Sequence, residues 1–434
     1  MKRFGFVSTC LLAAAASAQY LETTIPLVDS GGGVRFPKAL AYDPTNDRVY
    51  ACGDIGNCVV IVDGATNHTL GGVTVPSGGS DILCNAGNGK LYHADFYNSS
   101  VTVIDCATNS VLATVQTGST PRMLCLEPET DKLYCSCSGD GNVAVIDGQS
   151  DTLLTLVQVG TMPSGLCYNP HDDRIYCSNS FGGTVSVIDC SSDTVIATVQ
   201  VGECPVQLCY AGSNNCIYSA CIDSVTVIDG SSNAVVARIG AGSLPFALRY
   251  VARENAVYCA NMSDSTVSVI DCGTNSVIAT IGVGIGSSAL CLDPAHNKVY
   301  CGNYDEDNVS VIDCRTNQVI QTLPAGDAPG AFVLNPTWSR VYVANDRDST
   351  VTVYRDTTPQ GLAGHERPGR IGPARNPTMV RRIEAGPPNV RIFDIHGRDL
   401  TGERTGLAPG AYFLRRQTAD SRLQPAVSKV VIQH

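Results

Sequence analysis

One strand sequence recurs along this chain at an almost constant spacing. Val-Ser-Val-Ile-Asp-Cys stands at Val185–Cys190 and returns unchanged at Val267–Cys272 and Val309–Cys314. Related copies begin at Val59, Val101, Val143, Val225 and Val351. The aspartate that ends seven of the eight copies recurs every 42 residues, with one step of 40 between Asp189 and Asp229. A fixed period of this length indicates an array of one supersecondary unit.

Each repeat contains four strand-like runs separated by turn residues. In the third repeat the runs are Met123–Glu127, Lys132–Ser136, Asn142–Asp147 and Leu153–Val159,. The third run is apolar on both faces, so neighbouring copies must cover it from both sides. A small antiparallel sheet that its own copies cover on both faces predicts an all-β fold built from β-propeller blades.

The ends of the array predict the number of blades. Thr23–Val28 reads as an isolated strand before the first repeat, and the last repeat supplies only three strands, ending at Tyr354. The N-terminal strand can therefore complete the last blade, which closes the ring and removes its exposed edges. We predict a propeller of eight four-stranded blades over residues 20–356, with seven blades as the alternative.

Short motifs in these repeats resemble a known family. The sequences "VYVAN" at Val341–Asn345, "IYCSN" at Ile175–Asn179 and "VYCAN" at Val257–Asn261 are similar to the YVTN-type β-propeller repeat, known from surface-layer and other exported proteins. The resemblance implies the propeller fold for about four fifths of the chain. It implies little about function, since one fold serves many functions.

Two repeated columns could be taken for functional residues. A tyrosine recurs eight times from Tyr50 to Tyr342, and we interpret it as packing between blades,. The aspartate of each "VID" precedes a turn, and we interpret it as an acceptor for backbone N–H groups of that turn. Arg249 replaces a cysteine of a third column, which predicts a buried arginine paired with an acid,.

The chain is rich in cysteine, with 20 in total and 19 beyond the leader. Their spacing does not match a zinc or haem motif. The pairs Cys125/Cys135, Cys167/Cys177 and Cys291/Cys301 lie on adjacent strands of predicted hairpins, and the strand register decides whether they can bond. Small buried residues and disulfides are both open interpretations.

The first 19 residues predict export. Lys2 and Arg3 precede an apolar stretch, and Ala16-Ser17-Ala18 matches a signal-peptide cleavage site,. No later stretch is long and apolar enough to predict a membrane span. Residues 20–358 hold 34 of the 40 acidic residues, and such a body would repel nucleic acid. We predict a secreted or cell-surface protein without a nucleic-acid partner.

The C-terminal region differs from the repeats in composition. Residues 357–389 are rich in Pro, Gly and Arg and predict a linker,. Three strand-like runs follow, "VRIFDIHGRDL", "GLAPGAYFLRR" and "VSKVVIQ", which predict a small β-sandwich-like domain over 390–434,. These runs resemble the C-terminal sorting domain of type IX secretion cargo. The resemblance implies recognition by outer-membrane secretion machinery.

The loops between the second and third strands vary most among the repeats, and seven of the eight carry an acid. A ring of acids around the axial opening could bind Ca²⁺ or another divalent cation, or a basic partner. The alternative is ordinary solvated loop tips. The predicted binding residues are Asp54, Asp95, Asp140, Asp223, Asp264, Asp305, Asp307 and Asp346.

The sequence favours a binding or structural module over an enzyme. Its histidines are scattered, no nucleophile motif occurs, and the near-uniform repeats provide few of the differing residues that a catalytic site requires,. We predict no catalytic residue and no resident cofactor. The leading hypothesis is an exported, non-catalytic module for an unknown surface ligand or basic protein. The alternative is a propeller hydrolase of the lactonase type, with a metal at the axial opening.

Overall fold

The computed structural model describes residues 19–29 and 32–357, together with the backbone of three strands in the tail. The chain divides into two compact units, Met1–Ala363 and Gly364–His434. The predicted signal peptide, apart from Gln19, and the predicted linker after Thr357 lie outside the described residues. No helix with the length and apolarity needed to cross a membrane occurs in the described part of the chain.

The described residues of the first unit form eight four-stranded antiparallel sheets arranged as a ring, which confirms the predicted eight-bladed propeller. Blades 1 and 2 comprise Arg35–Asp43, Arg48–Ile55, Cys58–Asp63, Thr69–Thr74 and Gly79–Asn85, Lys90–Asp95, Ser100–Asp105, Val111–Gln116. Blades 3 and 4 comprise Pro121–Glu127, Lys132–Cys137, Asn142–Asp147, Thr152–Gln158 and Pro163–Asn169, Arg174–Asn179, Thr184–Asp189, Thr194–Gln200. Blades 5 and 6 comprise Leu208–Ala211, Cys216–Ala220, Val225–Asp229, Val235–Ile239 and Pro245–Val251, Ala256–Asn261, Thr266–Asp271, Ser276–Gly282. Blade 7 comprises Ser287–Asp293, Lys298–Asn303, Asn308–Asp313 and Gln318–Pro324.

Blade 8 joins the two ends of the propeller. Its strands are Pro329–Asn335, Arg340–Asn345, Thr350–Asp356 and, from the N-terminus, Gln19–Pro26. Ile25 lies opposite Val351 and Gln19 lies opposite Asp356. The predicted closure is confirmed, although the closing strand begins earlier than expected and Val28 belongs to a small hairpin of Val28–Asp29 and Gly32–Gly33.

The repeated tyrosine and aspartate have the structural roles expected from the sequence. The Tyr134 hydroxyl lies between blades 3 and 4 and donates to Asp193 Oδ1 at 2.7 Å, beyond the next blade's "VID" strand. Asp63 Oδ1 accepts from the hydroxyl and the backbone N–H of Thr66, both at 2.7 Å, and these bonds lower the pKa of Asp63. The repeated columns therefore maintain the ring.

The strand register decides the question of the hairpin cysteines. Cys125 lies opposite Tyr134, while Cys135 lies opposite Leu124. The two sulfurs therefore belong to opposite faces of the sheet, and the same offset separates the 167/177 and 291/301 pairs,. All six of these cysteines are free thiols. Burial raises the pKa of Cys125 to about 12, as expected for a small core residue,.

The tail is described by backbone alone. Val390–Asp394, Gly410–Arg416 and Val427–Ile432 form a three-stranded antiparallel sheet with the middle strand at its centre. Each strand falls within one of the three predicted runs. The β-sandwich-like domain and its sorting role stay predictions.

Candidate binding site on the connection face

One end of the propeller carries the residues that vary from blade to blade. It is built from the loops between second and third strands and from the connections between blades, and we call it the connection face. The opposite end carries the tighter turns and is called the turn face. The first strands of neighbouring blades pack against one another around the axis.

A repeated backbone feature fixes the loops of the connection face. In every blade a residue of positive φ stands at or near the start of the first strand, directly before the position that is proline in six blades; φ is 53° at Thr120 and 56° at Leu244. This conformation lets its carbonyl accept a loop N–H: Ser138 donates to Thr120 at 3.0 Å, and Met262 donates to Leu244 at 2.9 Å. The loops are therefore anchored to the connections that precede their blades.

The predicted acids occupy several different loop positions, and binding by a shared ring of acids stays a prediction. They follow the tyrosine of their repeat by three, four, five, six or seven residues, so they occupy five different loop positions. Several accept hydrogen bonds from the connections: Asp140 from the Ser119 N–H at 2.7 Å, Asp264 from Ser243 at 2.8 Å, and Asp307 from Ala328 at 3.0 Å. These carboxylates cap backbone groups, which is the alternative that the sequence left open.

Three more predicted acids belong to a paired network on blades 7, 8 and 1. Lys38 Nζ lies 2.8 Å from Asp346 and 3.5 Å from Asp54, and Arg347 lies 3.8 Å from Asp305. The Tyr304 hydroxyl also donates to Asp346 at 2.7 Å. Burial lowers the pKa of Lys38, but the Asp346 carboxylate more than offsets this and leaves it raised.

Asp95 is not a loop residue. It ends the second strand of blade 2 and is fully buried, where four other blades have asparagine. His93 Nδ1 lies 2.6 Å from Asp95 Oδ1, while the hydroxyls of Ser100 and Thr102 donate to Oδ2 at 2.7 and 2.8 Å. A buried carboxylate with three close partners is unavailable to a ligand.

The described residues contain one grouping of three side chains that could ligate a metal, and it includes none of the predicted acids. Asp293, His296 and Asp356 lie on the turn face. The lactonase alternative, with acids and amides on one metal, stays a prediction. The expectation for Arg249 was also wrong: it is exposed, and it donates to the Leu290 carbonyl at 3.3 Å because its strand borders the axis.

A groove of about 600 Å³ lies between blades 4 and 5 on the connection face. The loop of blade 4 contributes Phe181, whose side chain is 74% exposed. The loop of blade 5 contributes Ile222 and Asp223, and the connection between the blades contributes Glu203 and the free thiol of Cys204. The groove volume is within the range of ligand-binding clefts.

The irregular step in the repeat explains this groove. Tyr218 and Asp229 are 11 residues apart, whereas the equivalent residues Tyr176 and Asp189 are 13 apart. The two missing residues fall in the loop of blade 5, where Ala220 and Val225 bound it. Because the blade 5 loop is shorter, it does not cover the side of the longer blade 4 loop that faces it, and a recess remains between the two. Of the groove's two acids, Asp223 was among the predicted binding residues and Glu203 was not, although the 40-residue step indicated an irregular loop here.

Two solved structures are similar to the propeller. Hydrazine synthase of Kuenenia stuttgartiensis aligns at 17% identity with a TM-score of 0.55, over 75% of this chain and 96% of that chain. Dihydro-heme d1 dehydrogenase NirN, in complex with DHE, aligns at 13% identity with a TM-score of 0.59, over 68% of this chain and 66% of that chain. No protein-family model and no curated protein sequence matches the chain. Identities this low show the shared propeller fold alone.

The electrostatics of the groove differ from those of the paired network. Neither Glu203 nor Asp223 forms an ion pair with a described residue, and Asp223 accepts a hydrogen bond from the neighbouring Ser224 hydroxyl at 2.9 Å. Arg238 lies nearby, but its guanidinium donates to the carbonyls of Val201 and Gln200 at 2.9 and 3.2 Å. The groove therefore combines an exposed aromatic ring with two carboxylates that lack a cationic partner.

Proposed function

We propose that this protein is an exported, non-catalytic binding module whose connection face binds a positively charged partner. The propeller serves as a rigid ring, and the loops at one end provide the contacts. Binding and catalytic residues commonly lie on loops held by such a scaffold. The partner is a basic protein segment or another cationic surface ligand.

The observation that carries this proposal is the pair of carboxylates without a cationic partner, Glu203 and Asp223, beside exposed Phe181. Most other acids of this face are engaged by backbone N–H groups, by Lys38 or by Arg347. A carboxylate without such a partner creates a local negative potential that attracts cations. With a net charge of −11, the whole chain would also favour approach of a basic partner.

A binding titration tests the recognition part of the proposal. The full chain would be titrated with a ten-residue oligolysine peptide and with oligoglutamate, at several NaCl concentrations. We expect saturable binding of the basic peptide that weakens as salt rises, and no binding of the acidic one. Equal binding of both peptides, or of neither, would remove the proposed function.

The export part rests on the leader and on the tail that resembles a sorting domain. Removal of residues 390–434 should retain the protein within the cell envelope, as measured by fractionation and immunoblotting. The matched control is a chain in which the same tail is restored at the C-terminus after a short spacer. Normal appearance of the truncated protein in the medium or on the cell surface would contradict the sorting role.

A further inference from the structure

We infer that the groove between blades 4 and 5 is a site for a guanidinium or ammonium group carried on an apolar stem. This inference rests on the proposed function, and it specifies the ligand class and the contacting residues. The chemistry is that of an arginine or lysine side chain, or of a free polyamine.

The groove offers a charge contact and an apolar contact to the same ligand. Glu203 and Asp223 are exposed carboxylates, and no cation lines the cleft. Phe181 presents its ring to solvent and Ile222 is 45% exposed, so an alkyl stem has apolar surface to cover,. A cation above an aromatic ring within about 6 Å is also attracted by the ring itself.

Three donors of the cleft are engaged by backbone carbonyls and not by the two carboxylates. The Gln200 amide donates to the Gly183 carbonyl at 2.9 Å, and the Ile222 N–H donates to the Glu203 carbonyl at 3.0 Å. The Gly183 carbonyl also accepts from Val201 at 3.0 Å. These bonds fix the walls and leave the two carboxylates as the principal acceptors for a ligand.

The size of the groove favours a short segment over a single ion. About 600 Å³ exceeds what one ammonium group fills and suits a side chain with its flanking backbone,. A basic side chain with its stem against Phe181 would bring its charge to Glu203 and Asp223. A bare metal ion would leave the apolar part of the groove unused.

Calorimetric titration of the full chain with four small probes tests the ligand class. The probes are N-acetyl-arginine amide, N-acetyl-lysine amide, spermidine, and the neutral N-acetyl-norleucine amide. Stronger binding of the amino-acid amides indicates a protein side chain as the source, and stronger binding of spermidine indicates a free polyamine. Equal affinity for the neutral probe would overturn the charge requirement.

Substitutions then place the site. Glu203→Gln, Asp223→Asn and Phe181→Ala should each weaken the preferred probe by at least about threefold, and Glu203→Gln with Asp223→Asn by at least about tenfold. Glu129→Gln, an equal charge change at an exposed residue of the turn face, should change affinity by less than about twofold. Arg238→Gln should strengthen binding because it removes a nearby positive charge.

The outcomes separate the site from the general function. If the wild-type chain binds oligolysine while the groove variants bind it and the small probes as the wild type does, the groove assignment is wrong and the basic partner binds elsewhere. If the wild-type chain binds neither oligolysine nor any cationic probe, the proposed function itself fails. Circular dichroism and melting curves of each variant must match the wild type for either conclusion.

Discussion

The seam at which the ring closes and the groove between blades 4 and 5 lie on opposite sides of the propeller, because blades 8 and 4 are four positions apart in a ring of eight. At the seam, charges are matched: Arg340 forms a two-pronged contact with Glu22 at 2.6 Å, and Lys38 contacts Asp346 at 2.8 Å. At the groove, Glu203 and Asp223 have no matching cation.

This difference shows how one repeat serves two purposes. The seam has no covalent link between its outer strands, so ion pairs and hydrogen bonds must hold the N-terminal strand against blade 8. The groove arises within a continuous part of the chain, where the backbone already holds the blades in order. Carboxylates without a cationic partner at the groove therefore do not weaken the closure of the ring.

Removing the closing strand should have the largest effect on the stability of the propeller. A chain that begins at Val28 lacks the strand Gln19–Pro26 and also buried Leu27, whereas a matched chain begins at Gln19. Burial of Ile25 and Leu27 alone stabilises by roughly 3–6 kcal/mol. We expect the shorter chain to aggregate or to unfold at a much lower urea concentration, measured by circular dichroism.

Trimming the chain at its other end provides the control. Removing residues 390–434 should leave the urea midpoint of the propeller unchanged, since these residues belong to the second compact unit. A chain beginning at Val28 that matches the Gln19 chain in midpoint would show that the seam does not depend on its closing strand.

A second test concerns the buried charges of the seam. Asp356 is buried and accepts from Lys298 Nζ at 2.7 Å and from the Gln19 amide at 2.8 Å. Asp356→Asn removes the buried carboxylate that the Lys298 ammonium contacts, so we expect a loss of about 3–5 kcal/mol. Urea denaturation of this variant and of the wild type measures the loss.

The half-exposed ion pair of Asp305 and Arg347, which joins blades 7 and 8, is the control for this buried contact. Asp305→Asn should cost at most about 1 kcal/mol because solvent screens an exposed pair. Equal losses for Asp356→Asn and Asp305→Asn would show that burial does not decide the strength of these contacts.

The fold could be predicted from the sequence because the same strand pattern occurs eight times. The spacing of Asp63 to Asp313 fixed the blades, and the isolated Thr23–Val28 run indicated the closure. The prediction of an acid ring assumed one loop type common to all blades, whereas the structure gives the predicted acids different local settings. Asp95 ends a strand, Asp140 caps a connection, and Asp346 binds Lys38.

The contacts that distinguish these acids from one another are made between blades or between distant parts of the chain. Lys38 and Asp346 are 308 residues apart in the sequence, so no local sequence pattern predicts their ion pair. Glu203 was missed for another reason: it lies in a connection between blades, not in the loops between second and third strands from which the predicted acids were taken. The shortened step before Asp229 was visible, and a deletion in one blade of a ring predicts a local recess.

A third test fills the groove. Replacing the four residues Cys221–Ser224 by the corresponding six residues of blade 6, Asn261–Thr266, restores the usual loop length and raises the blade 5 loop toward that of its neighbours. We expect at least a tenfold loss of affinity for the basic peptide, which equals about 1.4 kcal/mol.

The ring itself should tolerate this graft, since the blade 6 loop is already anchored by the Met262–Leu244 hydrogen bond in its own setting. The urea midpoint should therefore stay within about 1 kcal/mol of the wild type. Undiminished peptide binding by the grafted chain would indicate that the recess has no part in recognition.

A fourth test uses pH at the seam. The hydrogen bond from Arg340 lowers the pKa of Glu22 below its ordinary value of 4.5. A carboxyl with a lowered folded-state pKa stabilises the protein above its unfolded value, and that stability is lost as pH falls below about 4.5. We expect Glu22→Gln to lower stability by about 1 kcal/mol at pH 7 and by less at pH 3.

Urea titrations at pH 7, 5, 4 and 3 would measure this convergence of the two chains. The turn aspartates, such as Asp63 and Asp147, also have lowered pKa values, so both chains should lose stability in acid. A constant difference between wild type and Glu22→Gln across these pH values would exclude Glu22 as a titrating contact of the seam.

The smallest expected effect concerns calcium. The predicted acids are divided among backbone caps, the Lys38 and Arg347 network, a buried strand end and the groove, so they provide no shared cation site in the described residues. Calcium should then act on the connection face as general ionic screening, which NaCl of equal ionic strength reproduces. We expect melting curves in millimolar CaCl₂ and in matched NaCl to coincide, and Asp305→Asn with Asp307→Asn to leave that agreement unchanged. A rise specific to calcium would follow the logarithm of its concentration if the ion bound the folded chain. If the double variant Glu203→Gln, Asp223→Asn abolished such a rise, calcium would occupy the groove and the proposed ligand with an apolar stem would be wrong. If the calcium-specific rise persisted in that variant, calcium would bind outside the groove.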